Sequence, residues 1–291
     1  MTEPLDRRTT VRGFSVPTFF YGTAWKEKET ERLTSQALEV GFRAIDTANQ
    51  RKHYFEAGVG AAVQRAIIAG LVDRASLFLQ SKFTHRPGQD QRLPYDAKAD
   101  VATQVAQSFQ SSLEHFGTDY LDSYVLHGPS QRRGLAEDDR AALRAMLELQ
   151  TSGRARLLGV SNVNLGQLQE AASVLGAPPA FVQNRCFAST GWDRPVRDYC
   201  REHGIRYQAF SLLTANSDVL GTSLVQGVAE RLGVTPSQVV FRFALEVGMI
   251  PLTGTSNAEH ARADLAVFDL EPLTADELEQ LAHVGESSRW G

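Results

Sequence analysis

The sequence predicts an α/β fold, a single (β/α)8 TIM barrel with an N-terminal hairpin and extra helices, forming one domain over residues 1–291. Three observations carry this. Eight short runs of strand length and β-type content alternate with eight helical patterns. No linker rich in Pro, Gly or Ser divides them. The turn after the first run, Tyr21-Gly22-Thr23-Ala24-Trp25, has one glycine, whereas an open doubly wound sheet would normally carry a glycine fingerprint there.

In chain order, residues 9–17 read as a small hairpin. Strands are expected at 18–22, 44–46, 77–82, 121–127, 157–161, 181–184, 206–210 and 250–253. Helical patterns lie between them near 29–40, 56–70, 98–116, 137–152, 164–174, 193–202, 222–232 and 257–265, with additional helices near 236–246 and 274–282. Thr235 before Pro236, Thr274 with Glu277 and Asn164 with Gln167 are helix starts, because their side chains can accept from unpaired amides of the first turn. Gly41, Gly117, Gly153 and Gly204 stand where helices should stop.

Composition bounds the function. With 42% hydrophobic and 22% charged residues a large core is available, and a net charge of -4 leaves no nucleic-acid or membrane footprint. Cys186 and Cys200 form neither a disulfide framework nor a zinc spacing and suit a reducing compartment. Residues 1–12 carry no apolar signal core, and no apolar run approaches the roughly 20 residues of a membrane span. The expectation is a cytoplasmic protein acting on small molecules, its oligomeric state open with a monomer favoured.

Three of the strands end on residues that handle protons or charge: Asp46, Lys82 and His127. Consecutive parallel strands put such ends on one rim, where active sites of parallel α/β folds are built. A free phenol near pKa 10 is a poor acid–base catalyst at neutral pH, and a neighbouring cation lowers its pKa. Tyr54, in the loop after the Asp46 strand, can supply the phenol. Any one of these residues alone reads as a salt bridge, cap or core group; together they read as a site. A metal centre built from Asp46, His53, His85 and His127 is disfavoured, since no two histidines sit at ligand spacing on one element, and no metal is expected.

These segments resemble the aldo-keto reductases over nearly the whole chain. Gly41-Phe42-Arg43-Ala44-Ile45-Asp46-Thr47-Ala48 is similar to the family's catalytic aspartate strand, and Ser81-Lys82 to its lysine strand end. Tyr120-Leu121-Asp122-Ser123-Tyr124-Val125-Leu126-His127-Gly128-Pro129 resembles its histidine motif, with Gly128 where a tryptophan is common. Gly159-Val160-Ser161-Asn162 resembles the segment that binds the nicotinamide carboxamide, completed by Gln183. The resemblance implies reversible hydride transfer between a nicotinamide and a carbonyl. Tyr54 would protonate the alkoxide with Lys82 lowering its pKa, Asp46 would orient Lys82, and His127 would hold the substrate oxygen. Gly22, Thr23 and Ala24 after the first strand would line the cofactor, as would Asp264. NADPH is the implied cofactor, with NADH as the alternative.

The chain departs from that pattern in places. Asn49-Gln50-Arg51-Lys52-His53 lengthen the loop between Asp46 and Tyr54, which makes His53 a rival proton donor. At the nicotinamide platform Phe210 stands where a tyrosine is usual, and Ser211, Leu212 and the loop to Gly221 would approach the pyrophosphate. At the adenosine end the family's lysine and arginine positions hold Gly254 and His260, leaving Thr255, Ser256, helix N-terminal amides, His260 or Arg262 for a phosphate. Trp25, Phe83, Trp192 and Trp290 are candidate walls of a substrate pocket left open by a short tail after residue 282. The alternative function is a nucleotide-binding regulatory subunit of the same fold with little or no turnover, which the lengthened loop would suit.

Overall fold

The computed structural model describes residues 5–286. Eight parallel strands close into a barrel: β3 (Phe20–Gly22), β4 (Ala44–Asp46), β5 (Phe78–Phe83), β6 (Leu121–Leu126), β7 (Ala155–Ser161), β8 (Phe181–Arg185), β9 (Arg206–Phe210) and β10 (Ile250–Thr253). Each pairs with the next in sequence, and β10 closes the ring on β3 through Leu252 opposite Phe20. The expected hairpin is present as antiparallel β1 (Arg8–Val11) and β2 (Phe14–Pro17).

The strands fall within two residues of their expected bounds. The first begins at Phe20 rather than 18, because Thr18 bonds back to the N-terminal segment through the carbonyls of Asp6 and Arg7. The helix expected from 98 starts at Val101, where Asp100 accepts from the Thr103 amide at 2.8 Å and caps it (Val101–Phe116). A four-residue helix at Ser217–Leu220 was not expected.

Inside the barrel the side chains form layers. Val11 and Val16 of the hairpin close the amino-terminal end against Phe20, Phe78 and Phe181. The ring of Phe78 lies 5.4 Å from that of Phe20 and 5.8 Å from that of Phe181, contacts between non-adjacent strands that only a filled interior allows. Above this layer sit the buried amides Gln80, Gln183 and Gln208. Gln208 Oε1 accepts from Gln80 at 2.8 Å and from Gln183 at 2.9 Å, and Gln208 Nε2 donates back to Gln80 at 3.1 Å. This polar layer is the floor of the carboxyl-terminal mouth.

Candidate active site

Asp46 stands directly on that floor. Its Oδ1 accepts from Gln80 at 2.7 Å and from Gln183 at 3.0 Å. Lys82 Nζ donates to both Asp46 oxygens at 2.7 Å and to the Thr47 carbonyl at 2.8 Å. The lysine is 0% exposed, so burial pulls its ammonium down while Asp46 opposes the shift.

Tyr54 reaches the same point from the loop. Its ring centre is 5.4 Å from Lys82 Nζ and 5.8 Å, edge-on, from the His127 ring. The five residues that lengthen this loop are absorbed into a folded turn. Asn49, buried, donates to the Ser108 carbonyl at 3.0 Å, and Gln50 donates to the Gly88 carbonyl at 2.6 Å. The Tyr54 amide closes the turn on the Gln50 carbonyl at 3.0 Å, and Arg51 lies over the Phe55 ring. His53 packs against Trp25 instead, its ring tilted by 37° at 4.0 Å between ring centres, with Trp25 71% exposed.

Lys82 is expected to lower the phenol's pKa, and Asp46, which matches its charge at two contacts, works against it. Burial, then the Asp46 carboxylate, push the Tyr54 phenol well above its ordinary value. His127 moves the other way, pulled down to about 3 by burial first and the charge of Lys82 second.

Asp46, Tyr54, His127 and Trp25 line one cavity of about 520 Å³ with twelve of the residues expected at the cofactor: Gly22, Ala24, Ser161, Asn162, Gln183, Phe210, Ser211, Leu212, Gly254, Thr255, His260 and Asp264. Asn162 and Ser211 hold φ values of 55° and 58°, left-handed for non-glycine residues, at the ends of β7 and β9. Thr253 donates to Asp264 at 2.7 Å, and burial raises the Asp264 carboxyl to about 6.

Other expected residues are not brought to the cavity. Trp192 is 0% exposed, its ring 5.3 Å from Phe243 and its indole N–H bonded to the Leu281 carbonyl at 2.8 Å, so it is core rather than pocket wall. Phe83 is buried against His85 and Tyr95. Thr23 is buried with its hydroxyl on the Asp46 carbonyl at 3.0 Å, and Ser256 lies outside the lining with its carbonyl on Gln36. Arg262 is exposed and outside it too. The helix amides expected to await a phosphate, those of Glu259 and His260, are taken by Asn257 at 2.7 and 3.3 Å. Trp290 lies outside the described residues.

Several site residues escaped the sequence reading. Arg185, Thr235, Ser237 and Phe241 are among the further residues of the cavity wall. Lys26, mostly buried, donates to the Gly254 carbonyl at 2.6 Å and lies 5.0 Å from the centre of the Tyr21 ring. Thr84 bonds His127. The only local signal was adjacency: Lys26 follows Trp25, and Thr84 follows Lys82 by two.

A sequence model of the Aldo/keto reductase family matches residues 18–220 and 215–286. An aldo-keto reductase from Mycolicibacterium vanbaalenii is 32% identical over 265 residues, covering 91% of this chain and 86% of the relative. NADPH-dependent codeinone reductase 1-1 from Papaver somniferum is 30% identical, covering 94% of this chain and 88% of its own length. A Bombyx mori aldo-keto reductase solved in complex with NADP superimposes with a TM-score of 0.79 at 23% identity, covering 96% of this chain and 92% of its own, a likeness of fold.

Proposed function

The chain belongs to the aldo/keto reductase family, and we propose that it is an NADPH-dependent oxidoreductase that reduces an aldehyde or ketone to an alcohol, reversibly. The observation that carries this reading is the convergence of Asp46, Tyr54, Lys82 and His127 at the mouth of the barrel, with Asp46, Tyr54 and His127 lining the cavity.

The cavity's donors and acceptors fit a dinucleotide. Ser161, Asn162 and Gln183 offer a carboxamide its partners near the catalytic cluster, and Phe210 offers a flat apolar face. The amide nitrogen of Gln183 is spent on Asp46 and Gln208, which leaves its oxygen for an incoming N–H. Lys26 brings a cation to Gly254, where the family's own lysine is missing, and His260 and Asp264 line the same cavity as Gly254. A cation there favours the extra phosphate of NADPH over NADH. Bound there, the cofactor would supply the hydride.

The protein's own groups do the rest. His127 is held neutral and orients the carbonyl oxygen by hydrogen bonding. Tyr54, its phenol kept protonated by burial, delivers the proton to the developing alkoxide. Lys82, 5.4 Å from the ring centre, stabilises the phenolate left behind, and Asp46 holds that ammonium in place. Trp25, exposed at the mouth, offers the substrate an apolar wall.

Paired fluorescence titrations with NADPH and NADH, followed by a panel of aldehydes and ketones with the tighter cofactor, test this. Tighter NADPH binding with carbonyl-dependent loss of nicotinamide absorbance is expected. Tight binding without turnover on any carbonyl would instead favour a regulatory subunit.

A further inference from the structure

Thr84 follows β5 and is 6% exposed. Its Oγ1 lies 2.7 Å from Nδ1 of His127. Both partners are fixed from outside the pair. The Thr84 carbonyl accepts from the Tyr95 hydroxyl at 2.8 Å and from Gln89 at 3.4 Å. The His127 amide donates to the Phe83 carbonyl at 2.9 Å, and the His127 carbonyl accepts from Asn162 at 2.7 Å.

Which atom carries the proton follows from counting donors. A neutral imidazole has one N–H and one bare nitrogen, and a threonine hydroxyl has one proton to give. If Nδ1 donated, the Thr84 proton would need a second acceptor, and among the described residues Oγ1 bonds only His127. A buried hydroxyl left so would lose its hydration for nothing. If Oγ1 donates to Nδ1, both groups are satisfied and the ring proton sits on Nε2, the nitrogen left for the cavity that His127 lines.

We infer that Thr84 is a positioning residue: its hydroxyl donates to Nδ1 of His127 and fixes the Nε2–H tautomer, so that His127 meets the substrate oxygen as a hydrogen-bond donor. An Nδ1–H tautomer would turn an acceptor toward the carbonyl oxygen and repel it. The consequence for rate rests on the proposed carbonyl reduction; the tautomer does not.

The test is nitrogen-15 NMR of the histidine rings in the full chain without ligand, for wild type, Thr84→Val, Thr84→Ala and Thr84→Ser. Wild type and Thr84→Ser should give the Nε2–H pattern at His127, and the valine and alanine variants a mixture of tautomers. With NADPH and the best carbonyl of the panel, Thr84→Val should lower kcat about 10-fold or more. Its NADPH affinity should not change, and Thr84→Ser should restore the rate. An Nδ1–H pattern in wild type overturns the inference, whether or not the variants fold. So does a pure Nε2–H pattern retained in Thr84→Val and Thr84→Ala. Absence of turnover in wild type would sink the reductase reading while leaving the tautomer result to decide this one.

Discussion

Lys82 Nζ sits 2.7 Å from each carboxylate oxygen of Asp46, with both side chains buried inside the barrel mouth. Two charges are thereby taken out of water and, among the described residues, returned to each other, to the Thr47 carbonyl and to two glutamine amides. Such a pair has little margin, because its attraction roughly offsets its desolvation.

Removing one partner therefore leaves an uncompensated buried charge. Lys82→Met should destabilise the fold by about 3–5 kcal/mol. Lys82→Met with Asp46→Leu should recover much of that stability and none of the activity. Urea denaturation of the two variants, read beside a reduction assay, checks both halves.

The pH profile follows from two shifts of opposite sense. His127, lowered to about 3, stays neutral across the working range, and Tyr54, raised above its ordinary value, keeps its proton there. At saturating NADPH the profile of kcat/KM for the carbonyl should thus be flat between about pH 5 and 9, whereas an unperturbed histidine would titrate near pH 6.5. A step near neutral pH that vanishes in a His127 variant would show that His127 is charged when it works.

Glu56 begins the helix that follows Tyr54 (Glu56–Ile68) and bonds His115 Nδ1 at 2.8 Å and Ser81 on its other oxygen. The hydrogen bond to Glu56 raises the His115 pKa above 6.5. A raised histidine pKa gives stability that is full below the unfolded value and is lost as pH rises through the folded one. His115→Gln should accordingly cost more stability near pH 6 than near pH 8.5. The difference should stay within about 1 kcal/mol because the ring is a third exposed. Thermal melts at the two pH values measure it.

Lys26 is mostly buried, and burial lowers its pKa to about 8. It binds a phosphate only when protonated, so NADPH affinity should fall as pH rises through that value. Lys26→Met should weaken NADPH binding about 10-fold at pH 7 and remove the alkaline dependence. Its effect on NADH should be smaller. Titrations with both cofactors at pH 7 and pH 9 decide this.

The barrel and most of the cluster were legible because each rests on local information. Asp46, Lys82 and His127 end β-type runs whose alternation with helices already dictates a shared rim. Tyr54 was legible too, although the turn that delivers it depends on Asn49 reaching Ser108 across to another helix, which no local pattern reveals. Trp192 was misread for the same reason. A left-handed φ of 57° and a bond to Leu281, 89 positions on, turn it into the core. Gln80 and Gln208 look like polar interruptions of apolar strands until closure of the barrel brings them face to face. Lys26 and Thr84 lie beside recognised residues, but their partners, Gly254 and His127, follow other strands.

In the proposed reaction Tyr54 gives the proton that completes carbonyl reduction. Single-turnover loss of nicotinamide absorbance, with NADPH and a carbonyl substrate, measures that step in wild type, Tyr54→Phe and His53→Gln. Tyr54→Phe should slow the step by about 10²–10⁴-fold with NADPH affinity kept, and His53→Gln should leave it near wild type. A Tyr54→Phe enzyme that reduces its substrate at the wild-type rate, or one matched in its loss by His53→Gln, would contradict the account.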